Sequence, residues 1–145
     1  MKKYVASLLF LLVAICCSMP SCKRKENVET IQTRLLHTWK LSKIATDDNG
    51  NNGIDASEIH PVANGSVDKI VFNSDSTGLQ TVVAANGVTT EYDFTWTLGK
   101  GDTITRNGIG NNVIKYHIAN ISSTSLELRN YSEQNILCAY YFDRN

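Results

Sequence analysis

The chain has 145 residues, nine glycines, two prolines and a formal net charge of zero, with 42% hydrophobic and 19% charged residues. That length holds one domain with room for a core, and the composition lacks the bias of a disordered chain. A balanced charge excludes a broad basic field for nucleic acid.

At the start, Lys2 and Lys3 precede an apolar run from Tyr4 to Cys17, followed by Ser18-Met19-Pro20-Ser21-Cys22. A cationic start, a short apolar stretch and a small residue before a cut site are the parts of a secretory signal. The run is shorter than the roughly 20 residues that a membrane-crossing helix needs. After Cys22 the chain turns polar at once, with Lys23-Arg24-Lys25-Glu26.

The Ser21-Cys22 junction resembles the processing site of bacterial lipoproteins, where the cysteine is acylated and becomes the new N-terminus. The resemblance implies a signal peptide over residues 1–21, an acylated (palmitate-type) Cys22 with a tether to residue 27, and a domain over residues 28–145. Ordinary secretion with cleavage nearby is the alternative. Each buried methylene contributes about 0.8 kcal/mol, so an anchor of two or three chains is effectively permanent. The implied location is the cell envelope, on the outer membrane facing the periplasm, because the basic Lys23-Arg24-Lys25 tether suits anionic headgroups. Surface display, which goes with an acidic run at that place, is the second option. Without Lys2 and Lys3 the chain carries 12 basic and 14 acidic residues, a net charge of −2. Of the four cysteines only Cys22 and Cys138 remain, so no disulfide is expected and Cys138 reads as a small apolar residue.

Val28, Ile31, Leu35 and Leu36 recur at helical spacing and predict one amphipathic helix from Val28 to His37. From Thr38 the period becomes two. Strands are predicted at Thr38–Ala45, Val67–Asn73, Thr77–Ala84, Thr90–Leu98, Asp102–Arg106, Val113–Ala119, Ser125–Tyr131 and Ile136–Asp143. Asn73-Ser74-Asp75-Ser76 and Asn86-Gly87 supply turn chemistry between them. Tyr92, Phe94, Trp96 and Leu98 alternate with Glu91, Asp93, Thr95 and Thr97, so one face of that strand is buried and the other solvated. Eight strands joined mainly by tight turns predict an all-β fold, an eight-stranded antiparallel up-and-down barrel with a short N-terminal helix. Closure of the meander removes its edges. A two-sheet sandwich is the structural alternative.

The long polar loop holds Asp47-Asp48-Asn49-Gly50-Asn51-Asn52-Gly53-Ile54-Asp55-Ala56-Ser57-Glu58. It resembles an EF-hand calcium loop, with ligand oxygens at Asp47, Asn49, Asn51, the Gly53 carbonyl, Asp55 and Glu58. Asn52 stands where that loop has glycine, and asparagine tolerates the left-handed conformation required. The flanks are a strand and a polar segment rather than two helices. No cofactor is required, and Ca2+ at this loop is the one candidate.

Leu36-His37-Thr38-Trp39-Lys40-Leu41, together with Phe72 to Gly78, Phe94 to Leu98 and Tyr140 to Arg144, resembles the lipocalin-like domain of Gram-negative bacterial lipoproteins, a calycin-type barrel. His37 replaces the glycine that usually opens the first strand. The resemblance implies a barrel plugged by its helix, with Arg144, or Arg129 as its rival, packing over Trp39. It also implies a small apolar ligand, for which Trp39, Tyr92, Phe94 and Trp96 are the candidate contacts. The same aromatic stripe is equally what a packed core requires. Binding to an envelope protein through barrel-end loops, as an interaction module or inhibitor, is the alternative function.

No enzyme is expected. His37, His60 and His117 lack metal-ligand spacing, Cys138 has no sequence-level base partner, and no serine stands in a nucleophile elbow. The expected partners are therefore the membrane, through the anchor, and a small apolar ligand or an envelope protein, with no nucleic acid.

Overall fold

The computed structural model describes residues 29–109 and 112–145. The expected signal peptide, the expected acylation site at Cys22 and the expected tether lie outside the described residues. Helix α1 spans Ile31–Leu35, and nine strands follow: β1 Thr38–Thr46, β2 Ile59–Pro61, β3 Val67–Phe72, β4 Thr77–Val83, β5 Thr89–Gly99, β6 Thr103–Ile109, β7 Asn112–Ile121, β8 Ser125–Tyr131 and β9 Leu137–Arg144.

Each strand from β3 to β9 pairs antiparallel with the next, and β9 returns to pair with β1. The closing ladder runs from Trp39 opposite Arg144 to Thr46 opposite Cys138, with a bulge between Leu41 and Lys43. Eight strands thus form the closed barrel that the alternation predicts. The short β2 was not apparent in the sequence. It pairs with Lys43–Ala45 along the half of β1 that β3 leaves free, since β3 pairs only with Thr38–Lys40.

The turns follow their chemistry. Gly87 adopts φ 82° and closes the β4–β5 hairpin by donating its N–H to the Ala84 carbonyl at 2.8 Å. Ser76 adopts φ 67° in the β3–β4 turn, where Asp75 accepts from both the amide and the hydroxyl of Thr77.

Helix α1 is shorter than predicted. Thr30 caps it by accepting from the Thr33 N–H at 3.2 Å, and Leu36 leaves helical geometry with ψ 55°. The chain enters β1 without a positive φ at His37, so the residue standing at the glycine position meets no strain there. Trp39 is 0% exposed, and its indole N–H donates to the Leu35 carbonyl at 3.1 Å, so the first strand grips the end of the helix that plugs the barrel. Neither arginine covers this ring. Arg144 is exposed and donates to the Ser123 carbonyl at 3.2 Å, and Arg129 pairs with Glu127 at 2.7 Å.

Around this plug lie Leu35, Ile70, Phe72, Trp96, Ile104, Ile118, Leu126, Leu128 and Phe142, all buried in one cluster. Phe72 meets Phe94 and Trp96 edge to face, with ring centroids 5.7 Å and 5.4 Å away. The Trp96 indole N–H reaches the Thr77 carbonyl at 2.9 Å and ties β5 to the neighbouring turn. The Phe94 ring lies over Gly78, where a Cβ would collide with it.

Trp39→Ala is expected to cost about 3–5 kcal/mol in chemical denaturation, the range for emptying a buried aromatic site. Gly78→Ala is expected to cost about 1–3 kcal/mol through overpacking, and a second change, Phe94→Leu, should recover part of that loss. Denaturant midpoints of the single and double variants measure both effects.

Candidate functional site

Residues directly opposite in an antiparallel ladder share a face, so the register identifies every inward side chain. Toward the α1 end these positions form the sealed core. Toward the other end they include Ile44, Asp68, Gln80, Val82, Tyr92, Ile114, Tyr116, Asn130, Cys138 and Tyr140, and these are not sealed. Ile44 is 43% exposed and Tyr92 38%, although both face inward, and the others apart from these two are half-buried. The interior is therefore a cup, with an apolar floor, one closed end and one open end.

Where the floor ends stands Arg106, 3% exposed. Its guanidinium carbon lies 4.1 Å from the centre of the Phe94 ring and 5.9 Å from that of Tyr116. Its Nη2 donates to Oε1 of Gln80 at 2.9 Å, and Nε2 of Gln80 donates to both carboxylate oxygens of Asp68 at 2.9 Å. Because the amide nitrogen faces Asp68, the amide oxygen must face the arginine. Among the described residues Arg106 Nε and Asn130 Oδ1 are buried without a hydrogen-bond partner, and the two ion pairs of the structure do not include Arg106.

Burial drives the protonation of this group of side chains. It raises the Asp68 carboxyl, against the opposing hydrogen bond from Gln80 and the charge of Arg106. It lowers Arg106, which Tyr116 and then Asp68 partly offset. It raises the Tyr116 hydroxyl and pushes Tyr140 up to about 12, the latter helped by Tyr116 and Cys138. Both phenols are therefore neutral near pH 7 and present hydroxyls rather than charge.

A crevice of about 1100 Å³ opens beside this cup, lined by Tyr116 and Asn130 among others. It lies where β7 and β8 part: their ladder begins at His117 opposite Arg129 and leaves Asn112–Tyr116 without a partner on that side.

Of the four aromatic residues expected at a ligand site, Trp39, Phe94 and Trp96 are packed into the floor, and a ligand among them would have to displace rings already in contact. Tyr92 alone reaches the open cup. The charged network was missed because the fifth strand was expected to end at Arg106. One signal was present: Asp68, Gln80 and Arg106 each occupy the inward phase of a strand beside Ile70, Val82 and Ile104.

The acidic loop is ordered by its own carboxylates. Asp47 and Glu58 are buried, and Asp47 accepts from the amides of Asn51 at 3.1 Å and Asn52 at 2.8 Å. Glu58 accepts from the amides of Asp48 at 3.0 Å, Asn49 at 3.3 Å and Asp55 at 2.8 Å. Asn52 adopts φ 61°, the left-handed conformation that the motif requires at that place. Asn49 and Asn51 both donate side-chain N–H groups to Asp55. No three His, Cys, Asp or Glu side chains among the described residues are grouped to hold a metal ion. A calcium ion drawing on Asp47, Asn49, Asn51, Gly53, Asp55 and Glu58 would first have to take Glu58 from its three amides. The histidines remain scattered, with His117 Nδ1 3.2 Å from the Gly101 carbonyl.

Residues 35–128 match the family model described as a lipocalin-like domain. The chain belongs to that family. The lipocalin-like barrel also resembles solved structures: a lipocalin-like protein from Bacteroides uniformis, 13% identical with a TM-score of 0.55, and an uncharacterized protein from Bacteroides eggerthii, 11% identical with a TM-score of 0.53. Each comparison covers 77% of this chain and 99% of the other. No curated protein matches. The matched family segment of the lipocalin-like domain ends within β8, so β9, the closing strand, lies beyond it.

Glu58→Ala, measured with chelator present, is expected to lower stability by about 1–3 kcal/mol, because three amides lose their acceptor. An unchanged denaturation midpoint would show that the loop does not depend on this latch.

Proposed function

We propose that this chain is a lipid-anchored protein of the cell envelope whose lipocalin-like barrel binds a small apolar ligand at its open end. The observation that carries the binding part is the asymmetry of the interior. Among the described residues the most exposed inward-facing apolar groups lie at one end, where Ile44 and Tyr92 are 43% and 38% exposed, whereas those toward α1 are buried or half-buried. Exposed apolar surface inside a rigid barrel is what a small-molecule site needs, since its burial on binding is favourable and the walls are already built. The Ser21-Cys22 junction supports the anchor, and the basic Lys23-Arg24-Lys25 tether supports a location on the outer membrane facing the periplasm.

A second reading, a protein-interaction module, is favoured by the loop after β1. That loop sits at the open end of the barrel and is held rigid by the amide bonds of Asp47 and Glu58, so its shape is set before any partner arrives.

Two measurements test these assignments. Cys22→Ala is expected to move the protein from the membrane to the soluble fraction and to abolish palmitate labelling; retention in the membrane would overturn the anchor. The neutral probe N-phenyl-1-naphthylamine is expected to brighten on binding, and Ile44→Asp to weaken that binding roughly tenfold by placing a charge against the apolar wall. A probe that binds both forms equally would place the site elsewhere.

A further inference from the structure

The parting of β7 from β8 leaves backbone groups without ladder partners. Successive residues of a strand direct their N–H and C=O groups to alternate sides. The Ile118 N–H donates to the Asp102 carbonyl at 2.8 Å, on the β6 side, so Ile114 and Tyr116 also turn theirs to β6, while Val113, Lys115 and His117 turn theirs to β8. His117 meets Arg129 there, and among the described residues no ladder partner follows for Lys115 or Val113. The opposite wall repeats the pattern. The Ser132 N–H donates across the β8–β9 hairpin to the Ile136 carbonyl at 2.9 Å, so Tyr131, one residue earlier, turns its backbone to β7, where the ladder has already ended. Two bare edges thus border the crevice of about 1100 Å³, which exceeds the roughly 300–1,000 Å³ of ordinary small-molecule sites.

The side chains there are not those of a solvated edge. Val113 is 60% exposed and Tyr131 56%, and both stand on the outer face, as does Lys115. Asn130 Oδ1, on the same crevice, is buried with no donor. Of the charged residues lining the crevice, Arg129 is held by Glu127 and Glu133 lies in the turn past Tyr131, whereas Lys115 makes no ion pair among the described residues.

We propose that this crevice is a strand-addition site, where an extended segment of another protein pairs with β7 and carries an aspartate or glutamate opposite Lys115, with apolar residues on either side. Main-chain bonds to Val113 and Lys115 supply the attachment, and alternate side chains supply the selection. Added antiparallel, the segment sets one apolar residue beside Val113 and Tyr131 and its acid beside Lys115 in the outer row. Its inner row meets the half-buried Ile114 and Tyr116. The proposal does not depend on a small ligand in the cup.

The probe is the peptide acetyl-Thr-Val-Glu-Val-Val-Thr-amide, titrated calorimetrically into the full-length protein; with its last valine opposite Val113, its glutamate falls opposite Lys115. It is expected to bind at least about fivefold more tightly than the same peptide with lysine for glutamate, and Lys115→Glu is expected to reverse that order. N-methylation of the glutamate nitrogen removes a donor aimed at β7 and is expected to weaken binding at least about tenfold. Val113→Pro removes the free N–H of the edge without touching the ladder to β6 and is expected to do the same. Circular dichroism reports whether each variant folds; if Val113→Pro does not, the N-methylated peptide decides. Equal binding of the acidic and basic peptides, or an order that Lys115→Glu leaves unchanged, overturns the acidic specificity. Binding that survives N-methylation overturns strand addition. Sedimentation of the protein alone as a dimer that Val113→Pro converts to monomer gives the edge to a second copy and overturns the foreign segment. Binding of neither peptide overturns the proposal as a whole, while the brightening of N-phenyl-1-naphthylamine reports on the cup separately.

Discussion

Every inward side chain of this domain owes its surroundings to the ladder that joins β9 to β1. Without it the strands from β3 to β9 would be an open meander with two unpaired edges, and the rows now facing one another across the lumen would face water. With it, Trp39 sits on the closing strand pair with no exposed surface and holds the end of α1 through the Leu35 carbonyl. One contact thus joins the seam of the barrel to its plug. The sealed half follows from that: once the helix is fixed at one end, the aromatic and aliphatic residues above it pack against a floor rather than a solvent channel.

The open half follows from what the plug does not reach. Above Arg106 the inward positions change from purely apolar to mixed, and the walls loosen at two places. β3 leaves β1 after Lys40, where β2 takes over, and β7 leaves β8 above His117. Both departures lie toward the end of the barrel opposite α1. The same end holds the buried polar chain of Arg106, Gln80 and Asp68, whose full satisfaction is a demanding condition in a low-dielectric interior. A fold that spent its polar residues only on stability would place them outside, as it does with Glu91, Asp93, Thr95 and Thr97 on the outer face of β5.

Most of the barrel was legible because strand alternation and turn chemistry are local. The period-two pattern of Tyr92, Phe94, Trp96 and Leu98 and the Asn86-Gly87 turn need no tertiary information. α1 was read too long because Leu36 continues the apolar spacing while its backbone already turns toward β1. β2 was invisible because three residues ending in Pro61, inside a polar loop, carry no period. The ligand contacts were harder for a different reason. Alternation tells which face of the sheet a residue occupies but not its height along the barrel axis, which depends on the stagger of all eight strands. Trp96 and Tyr92 share a face and differ only in height, and height separates floor from cup. The acidic loop was legible as a long polar loop with calcium-loop spacing, but the bonds of its own carboxylates to backbone amides were not, because they depend on the folded path of the loop.

The closing ladder also shapes how the protein must fold. Its partners, Trp39 with Arg144 and Thr46 with Cys138, are about a hundred residues apart in the chain, so the last strand to be made is the one the first strand awaits. Such long-range pairing raises contact order and slows folding, because the entropy of closing a large loop is lost before any reward arrives. Until β9 docks, β1 keeps one edge unpaired and Trp39 lacks its cover. In that interval a sticky strand stands open, and shielding of its edge would govern yield more than the stability of the finished barrel.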